Sequence, residues 1–121
     1  MNYKYKVTTF ENESCAVSRT GRNRQYIKLY KDNTVVEAPE NTLGLMVFNL
    51  KRDAAKFTLR FGGRTLKIKR VIPLDRGKTP KTITWCGTVY SFYEGGGYSE
   101  KHSPPKGTIC HQKLKVIGDC K

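Results

Sequence analysis

The chain has 121 residues, a length typical of one domain, and we expect residues 1–121 to form a single core. Its 37% hydrophobic and 11% aromatic residues argue against an intrinsically disordered chain. There are 23 Lys and Arg against 10 Asp and Glu, a formal net charge of +13. Because so much like charge opposes compaction, it favours an anionic partner such as nucleic acid, a nucleotide, a membrane surface or an acidic protein.

Strands are predicted in the first third of the chain. Residues 3–10 and 14–18 read as strands, and an arginine-rich loop follows over residues 18–25. Residues 25–37 predict a hairpin, because the turn-forming residues 31–33 separate two alternating runs.

One helix is predicted, over about residues 50–61. Its apolar residues recur at the spacing of one helical stripe, and the basic residues of the segment lie off that stripe. The stripe consists of Leu50, Ala54, Phe57 and Phe61.

The remaining segments predict further strands and loops. Residues 44–48 form a short buried run, residues 64–72 and 113–117 alternate, and residues 83–93 read as one or two strands. Residues 94–107 predict a long irregular loop. One helix among about seven strands predicts an α+β fold, an antiparallel β-rich sheet or open barrel with the helix packed on one face.

Three of the alternating strands carry cations on their polar side. Leu66 and Ile68 are expected to face the helix. Ile27 with Leu29, and Leu114 with Val116, are expected to point inward. If the three strands share a sheet, one outer face becomes a row of lysines and tyrosines that can neutralise phosphates and stack bases. The alternative is that the lysines only keep the strands soluble. The residues expected on this face are Tyr26, Lys28, Tyr30, Lys67, Lys69, Lys113 and Lys115.

Arginines recognise phosphate more selectively than lysines, because the planar guanidinium can form two parallel hydrogen bonds. Three arginines flank Gly21, where the backbone can approach an anion closely. The alternative for this loop is a hairpin tip whose arginines point into water. The predicted ligand-binding residues are Arg19, Arg22, Arg24, Tyr26, Lys28, Tyr30, Arg64, Lys67, Lys69 and Arg70.

No catalytic residue, metal site or cofactor is predicted. The chain has no C-x-x-C pair, and the adjacent Cys110 and His111 point apart if they lie in a strand. His102 and His111 lie in or next to the long loop, where acidic residues could orient them. A small metal-independent ribonuclease is therefore retained as a less favoured alternative to a protein without enzymatic activity.

A cytoplasmic protein is expected, because neither a signal-peptide pattern nor a run of about 18 apolar residues occurs in the chain. We accordingly expect no membrane partner. In a reducing compartment the four cysteines are expected to be thiols, although an even number leaves disulfides open for an exported protein.

The order of apolar anchors over residues 26–72 resembles that of small accessory proteins of bacteriophages. The anchors are Tyr30, Ala38-Pro39, residues 44–48, Ala54-Ala55 with Phe57, and residues 66–71. The pattern contains no functional motif. The resemblance implies a phage early or accessory protein in the host cytoplasm. That group includes inhibitors of host defence, some of which capture nucleotide signals while others block a host protein.

These observations predict a non-enzymatic binding protein for a phosphate-rich anion. The ligand would be nucleic acid, a small oligonucleotide or a cyclic nucleotide, the last two fitting a phage protein that sequesters a host defence signal. The alternative is a protein–protein inhibitor that covers an acidic or nucleic-acid-binding surface of a host protein. A homo-oligomer is also considered, because a small chain could build a ligand pocket between subunits.

Overall fold

The computed structural model describes residues 3–14, 27–38, 44–61, 66–80 and 106–120. These residues form six strands and one helix. The strands are β1 (Lys4–Thr9), β2 (Val35–Glu37), β3 (Leu45–Phe48), β4 (Leu66–Pro73), β5 (Thr108–His111) and β6 (Lys113–Asp119), and the helix is α1 (Lys51–Phe61).

All six strands belong to one open antiparallel sheet, in the order β2-β6-β4-β1-β3-β5. The helix packs on β1, β3 and β4, so it covers part of one face. The predicted α+β class is confirmed, in its open-sheet form. No helix in the described part of the chain is long and apolar enough to cross a membrane.

The first core cluster lies between the helix and the sheet. Phe57 from α1 meets Phe48 from β3 with their ring centroids 5.4 Å apart, and Ala54 and Val7 complete the buried cluster. The predicted helix is confirmed, because its apolar stripe supplies Ala54 and Phe57. Leu66 and Ile68 pack against this cluster, as their alternation predicted. We call this the helix-bearing face.

The second core cluster lies on the opposite face of the sheet. Leu114 and Val116 of β6 are fully buried there, which confirms their predicted inward position. β3 contributes side chains to both clusters, and this explains why residues 44–48 read as one continuous apolar run. The buried members of the second cluster are Tyr30, Val36, Leu45, Val47, Val71, Leu114 and Val116.

The predicted hairpin over residues 25–37 is wrong in its pairing, although its turn is present. Asn33 has a φ of 64°, and Thr34 N–H donates to the Lys31 carbonyl over 3.3 Å. The segment before the turn pairs instead with residues 12–14, and β2 pairs with β6. This pairing buries Val36 with Leu114, its cross-strand partner.

Strand β5 was not predicted, because its four residues follow a segment rich in Gly and Pro. It pairs with β3, and the loop at Lys78 hydrogen-bonds with Cys110 on its other edge. The strands predicted over residues 15–18 and 83–93 lie outside the described residues.

Candidate anion-binding site

Five of the ten predicted ligand residues lie in the described part of the chain: Lys28, Tyr30, Lys67, Lys69 and Arg70. The other five lie outside it, and their roles stay predictions. They are Arg19, Arg22, Arg24, Tyr26 and Arg64.

Tyr30 does not lie on an outer face, and the predicted base stacking by this residue is wrong. Its side chain is fully buried in the second core cluster, whereas Leu29, predicted to point inward, is 56% exposed. The Lys6 ammonium lies 5.0 Å from the centre of the Tyr30 ring. A buried aromatic ring removes a large apolar area from water and also offers its negative face to this cation.

Lys69 is fully buried, and its ammonium contacts three side-chain oxygen atoms. Nζ lies 2.6 Å from Asp32 Oδ1, 2.7 Å from Asp119 Oδ1 and 3.0 Å from Asn12 Oδ1. An ammonium group has three N–H donors, so these acceptors use all of them. The predicted phosphate contact by Lys69 is therefore wrong. We call Lys69, Asp32, Asp119 and Asn12 the Lys69 cluster.

The pKa values of this cluster agree with a buried charge that is compensated. Burial opposes the charged form of Lys69, but hydrogen bonds and attraction from Asp119 and Asp32 outweigh it and raise its pKa. The hydrogen bond from Lys69 is the main reason why the pKa of Asp119 is lowered. The stabilisation is thus complete at neutral pH. It is lost as the pH falls through the lowered pKa of Asp119 or rises through the raised pKa of Lys69.

Two neighbouring lysines are also committed to contacts within the protein. Lys6 is the cross-strand partner of Lys69, and its ammonium donates to the Met46 carbonyl over 2.8 Å. Lys67 Nζ lies 3.3 Å from Asp119 Oδ1, and its side chain is only 18% exposed. Like charges directly opposite in a sheet repel, and here Lys6 and Lys69 contact different acceptors, whereas Lys67 and Lys69 share the Asp119 carboxylate.

The lysines of β4 and β6 lie on opposite faces, so a single row of cations is also wrong. Ile68 packs toward the helix, which puts Lys67 and Lys69 on the other face. Val116 packs into the second cluster, which puts Lys115 on the helix-bearing face, opposite Ile72. Each prediction of alternation was right for its own strand, but the two strands bury opposite faces.

Arg70 lies on the helix-bearing face, beyond the area that the helix covers. Its guanidinium is exposed and lies 5.3 Å from the centre of the Tyr3 ring. Cross-strand pairing places Lys115 between Ile72 and Val35, and Lys113 beside Glu37. Val35 is 53% exposed. We call this surface the basic patch: Tyr3, Arg70, Ile72, Val35, Lys113 and Lys115.

The positive charges of the basic patch are only weakly neutralised by carboxylates in the described part of the chain. Lys113 forms an exposed ion pair with Glu37 over 3.0 Å, a type that contributes little. Within the described part of the chain, Arg70 and Lys115 form no ion pair. The sequence pointed to Arg70 but not to Tyr3, because only the β1–β4 pairing brings these two residues together.

His111 and Cys110 are placed as structural residues. The His111 ring is buried, its Nδ1 lies 3.1 Å from the Asp75 carbonyl oxygen, and its Nε2 has no hydrogen-bond partner among the described residues. The Asp75 carboxylate accepts hydrogen bonds from two backbone N–H groups, those of Gln112 and Lys113. Burial raises the pKa of the Cys110 thiol to about 11, although the charge of Lys6 partly offsets it. At neutral pH this thiol is protonated, which makes it a poor nucleophile.

The described residues contain no group of three or more His, Cys, Asp or Glu placed to hold a metal ion.

No protein-family model, curated protein or solved structure matches this chain. The resemblance to small phage accessory proteins over residues 26–72 therefore stays a prediction.

Proposed function

We propose that this protein is a non-enzymatic binding protein for phosphate-rich anions, either nucleic acid or a small nucleotide, and that the basic patch is its binding surface. The observation that carries the proposal is that the exposed Arg70 has its guanidinium carbon 5.3 Å from the centre of the Tyr3 ring, on the same sheet face as Lys115. Guanidinium and ammonium groups neutralise phosphates, and planar groups stack on bases.

The distribution of acidic residues supports this proposal. Asp32 and Asp119 are engaged by Lys69, and Asp75 is engaged by backbone N–H groups. Glu37 lies against Lys113 at the edge of the basic patch. Three of these four carboxylates, those of Asp32, Asp119 and Asp75, are thus engaged within the fold and away from Arg70 and Lys115. A formal net charge of +13 leaves an attractive potential for an anion.

The ribonuclease alternative receives less support. His111 is 4% exposed, so its ring cannot reach a substrate on the surface. His102 lies outside the described residues. A protein–protein inhibitor would use the same positive surface against an acidic host protein, and a direct binding measurement separates it from the first proposal.

Inorganic polyphosphate is the simplest probe, because it has phosphates but no bases. We expect it to bind the wild-type protein at low salt and to dissociate steeply as salt rises. The Arg70→Gln/Lys115→Gln variant should bind about tenfold more weakly, with a salt slope smaller by about 1.4, since each lost phosphate contact removes about 0.7. Titration calorimetry at several salt concentrations measures both quantities.

The matched control is Arg52→Gln/Lys56→Gln, which removes the same charge from two exposed positions of α1. This variant should retain most of the affinity. Equal losses in the two variants would mean that only net charge matters and would contradict the patch as the site. Failure of both polyphosphate and a single-stranded oligonucleotide to bind at low salt would contradict the proposed function itself and favour the protein–protein inhibitor.

A further inference from the structure

We infer that the basic patch binds single-stranded nucleic acid, in preference to a duplex or a mononucleotide; this inference rests on the proposed function. The patch combines three kinds of side chain on one sheet face. Arg70 and Tyr3 form a cation–π pair, Val35 and Ile72 are apolar, and Lys113 and Lys115 carry positive charge.

The Arg70–Tyr3 pair is suited to binding an exposed base. Arg70 is exposed, and its guanidinium carbon lies 5.3 Å from the centre of the Tyr3 ring, so a planar cation and an aromatic ring lie next to each other on this face. Unpaired bases stack on aromatic rings and on guanidinium planes. Bases in a duplex are already stacked on each other, so a duplex would offer the patch only its phosphates.

The apolar residues of the patch also favour single-stranded nucleic acid. Lys115 lies between Val35 and Ile72 across three neighbouring strands, and Val35 is 53% exposed. The flat faces of unpaired bases cover apolar side chains, whereas a backbone of phosphates and sugars alone does not.

The shape of the surface argues against a mononucleotide. Small ligands are usually enclosed in concave pockets, but Arg70, Lys113 and Lys115 are all exposed on the face of a sheet. From β1 to β2 the patch crosses three inter-strand spacings, or about 14 Å. A surface of this width suits a short stretch of extended single strand.

The test compares three ligands by fluorescence anisotropy or calorimetry: an oligothymidylate of roughly 12 nucleotides, a duplex of the same length, and inorganic polyphosphate. We expect the oligothymidylate to bind more tightly than the duplex. Tyr3→Leu should weaken oligothymidylate binding by about 5- to 30-fold, the loss of one stacking contact, and should affect polyphosphate much less. Arg70→Lys, which keeps the charge and removes the plane, should show the same selectivity.

Phe10→Leu is the control, because Phe10 is 57% exposed and lies outside the patch. It should leave the binding of all three ligands unchanged. The inference is overturned if the duplex binds as tightly as the single strand, or if Tyr3→Leu and Arg70→Lys weaken oligothymidylate and polyphosphate equally. In both cases binding of polyphosphate would still uphold the proposed function, whereas loss of all binding by the wild-type protein would overturn both.

Discussion

Replacing both Asp32 and Asp119 by asparagine is expected to lower the free energy of unfolding by about 3–5 kcal/mol. The reason is that the Lys69 ammonium is 1% exposed and would lose both of its neutralising carboxylates, at 2.6 and 2.7 Å. The asparagine oxygens still accept hydrogen bonds, but they leave the buried charge uncompensated. Urea unfolding of the wild-type and double-variant proteins at neutral pH measures the difference.

The control for this prediction is the same pair of substitutions in a Lys69→Met background. Without the ammonium there is no buried charge to compensate, so the cost of the two substitutions should fall to about 1 kcal/mol or less. Glu37→Gln, which breaks the exposed pair with Lys113, should change stability by at most about 0.5 kcal/mol. Equal costs with and without Lys69 would show that the Lys69 cluster does not stabilise the fold as a charge network.

Tyr30→Ala should destabilise the protein by about 3–5 kcal/mol, whereas Leu29→Ala should change stability by at most about 0.5 kcal/mol. Tyr30 is fully buried among the six other buried residues of the second core cluster, and the Lys6 ammonium lies over its ring, so its removal leaves a cavity and an ammonium without its aromatic partner. Leu29, its neighbour in the chain, is 56% exposed. Denaturant unfolding of both single variants measures the two values.

These two variants test whether Tyr30 or Leu29 lies in the core. Alternation alone predicts the reverse order, with Leu29 in the core and Tyr30 outside. A larger loss for Leu29→Ala than for Tyr30→Ala would therefore contradict the placement of this segment against residues 12–14.

The helix and the long strands could be predicted because their signals are local. The spacing of Ala54 and Phe57 defines one helical stripe, and the alternation of Leu66 with Ile68 and of Leu114 with Val116 defines the buried side of each strand. Those patterns say which side of a strand is buried. They do not say which face of the sheet that side becomes, and this is why the lysines of β4 and β6 were wrongly joined in one row.

The predicted orientations of Leu29 and Tyr30 were wrong for a related reason. A period of two places Leu29 and Tyr30 on opposite sides of the strand. The more apolar residue, Leu29, is then expected to face the core. Here the larger ring fills the core, because Lys6 and the second cluster provide both apolar contacts and a cation.

Long-range contacts determine both the buried charge and the candidate site. Lys69 and Asp119 are 50 residues apart in the chain, and nothing local to either residue predicts their contact. Tyr3 and Arg70 likewise meet only through the β1–β4 pairing. The sequence therefore predicted that cations would bind an anion, and predicted Arg70 among them, but it also included Lys69, whose donors are all occupied.

Mapping of amide chemical shifts during titration with oligothymidylate tests most directly where the anion binds. The proposed site predicts that the largest shifts occur at residues of the basic patch, including Tyr3, Arg70 and Lys115, while the amides of the Lys69 cluster change little. Large shifts around the Lys69 cluster, with none at Arg70 and Lys115, would contradict the basic patch as the binding surface.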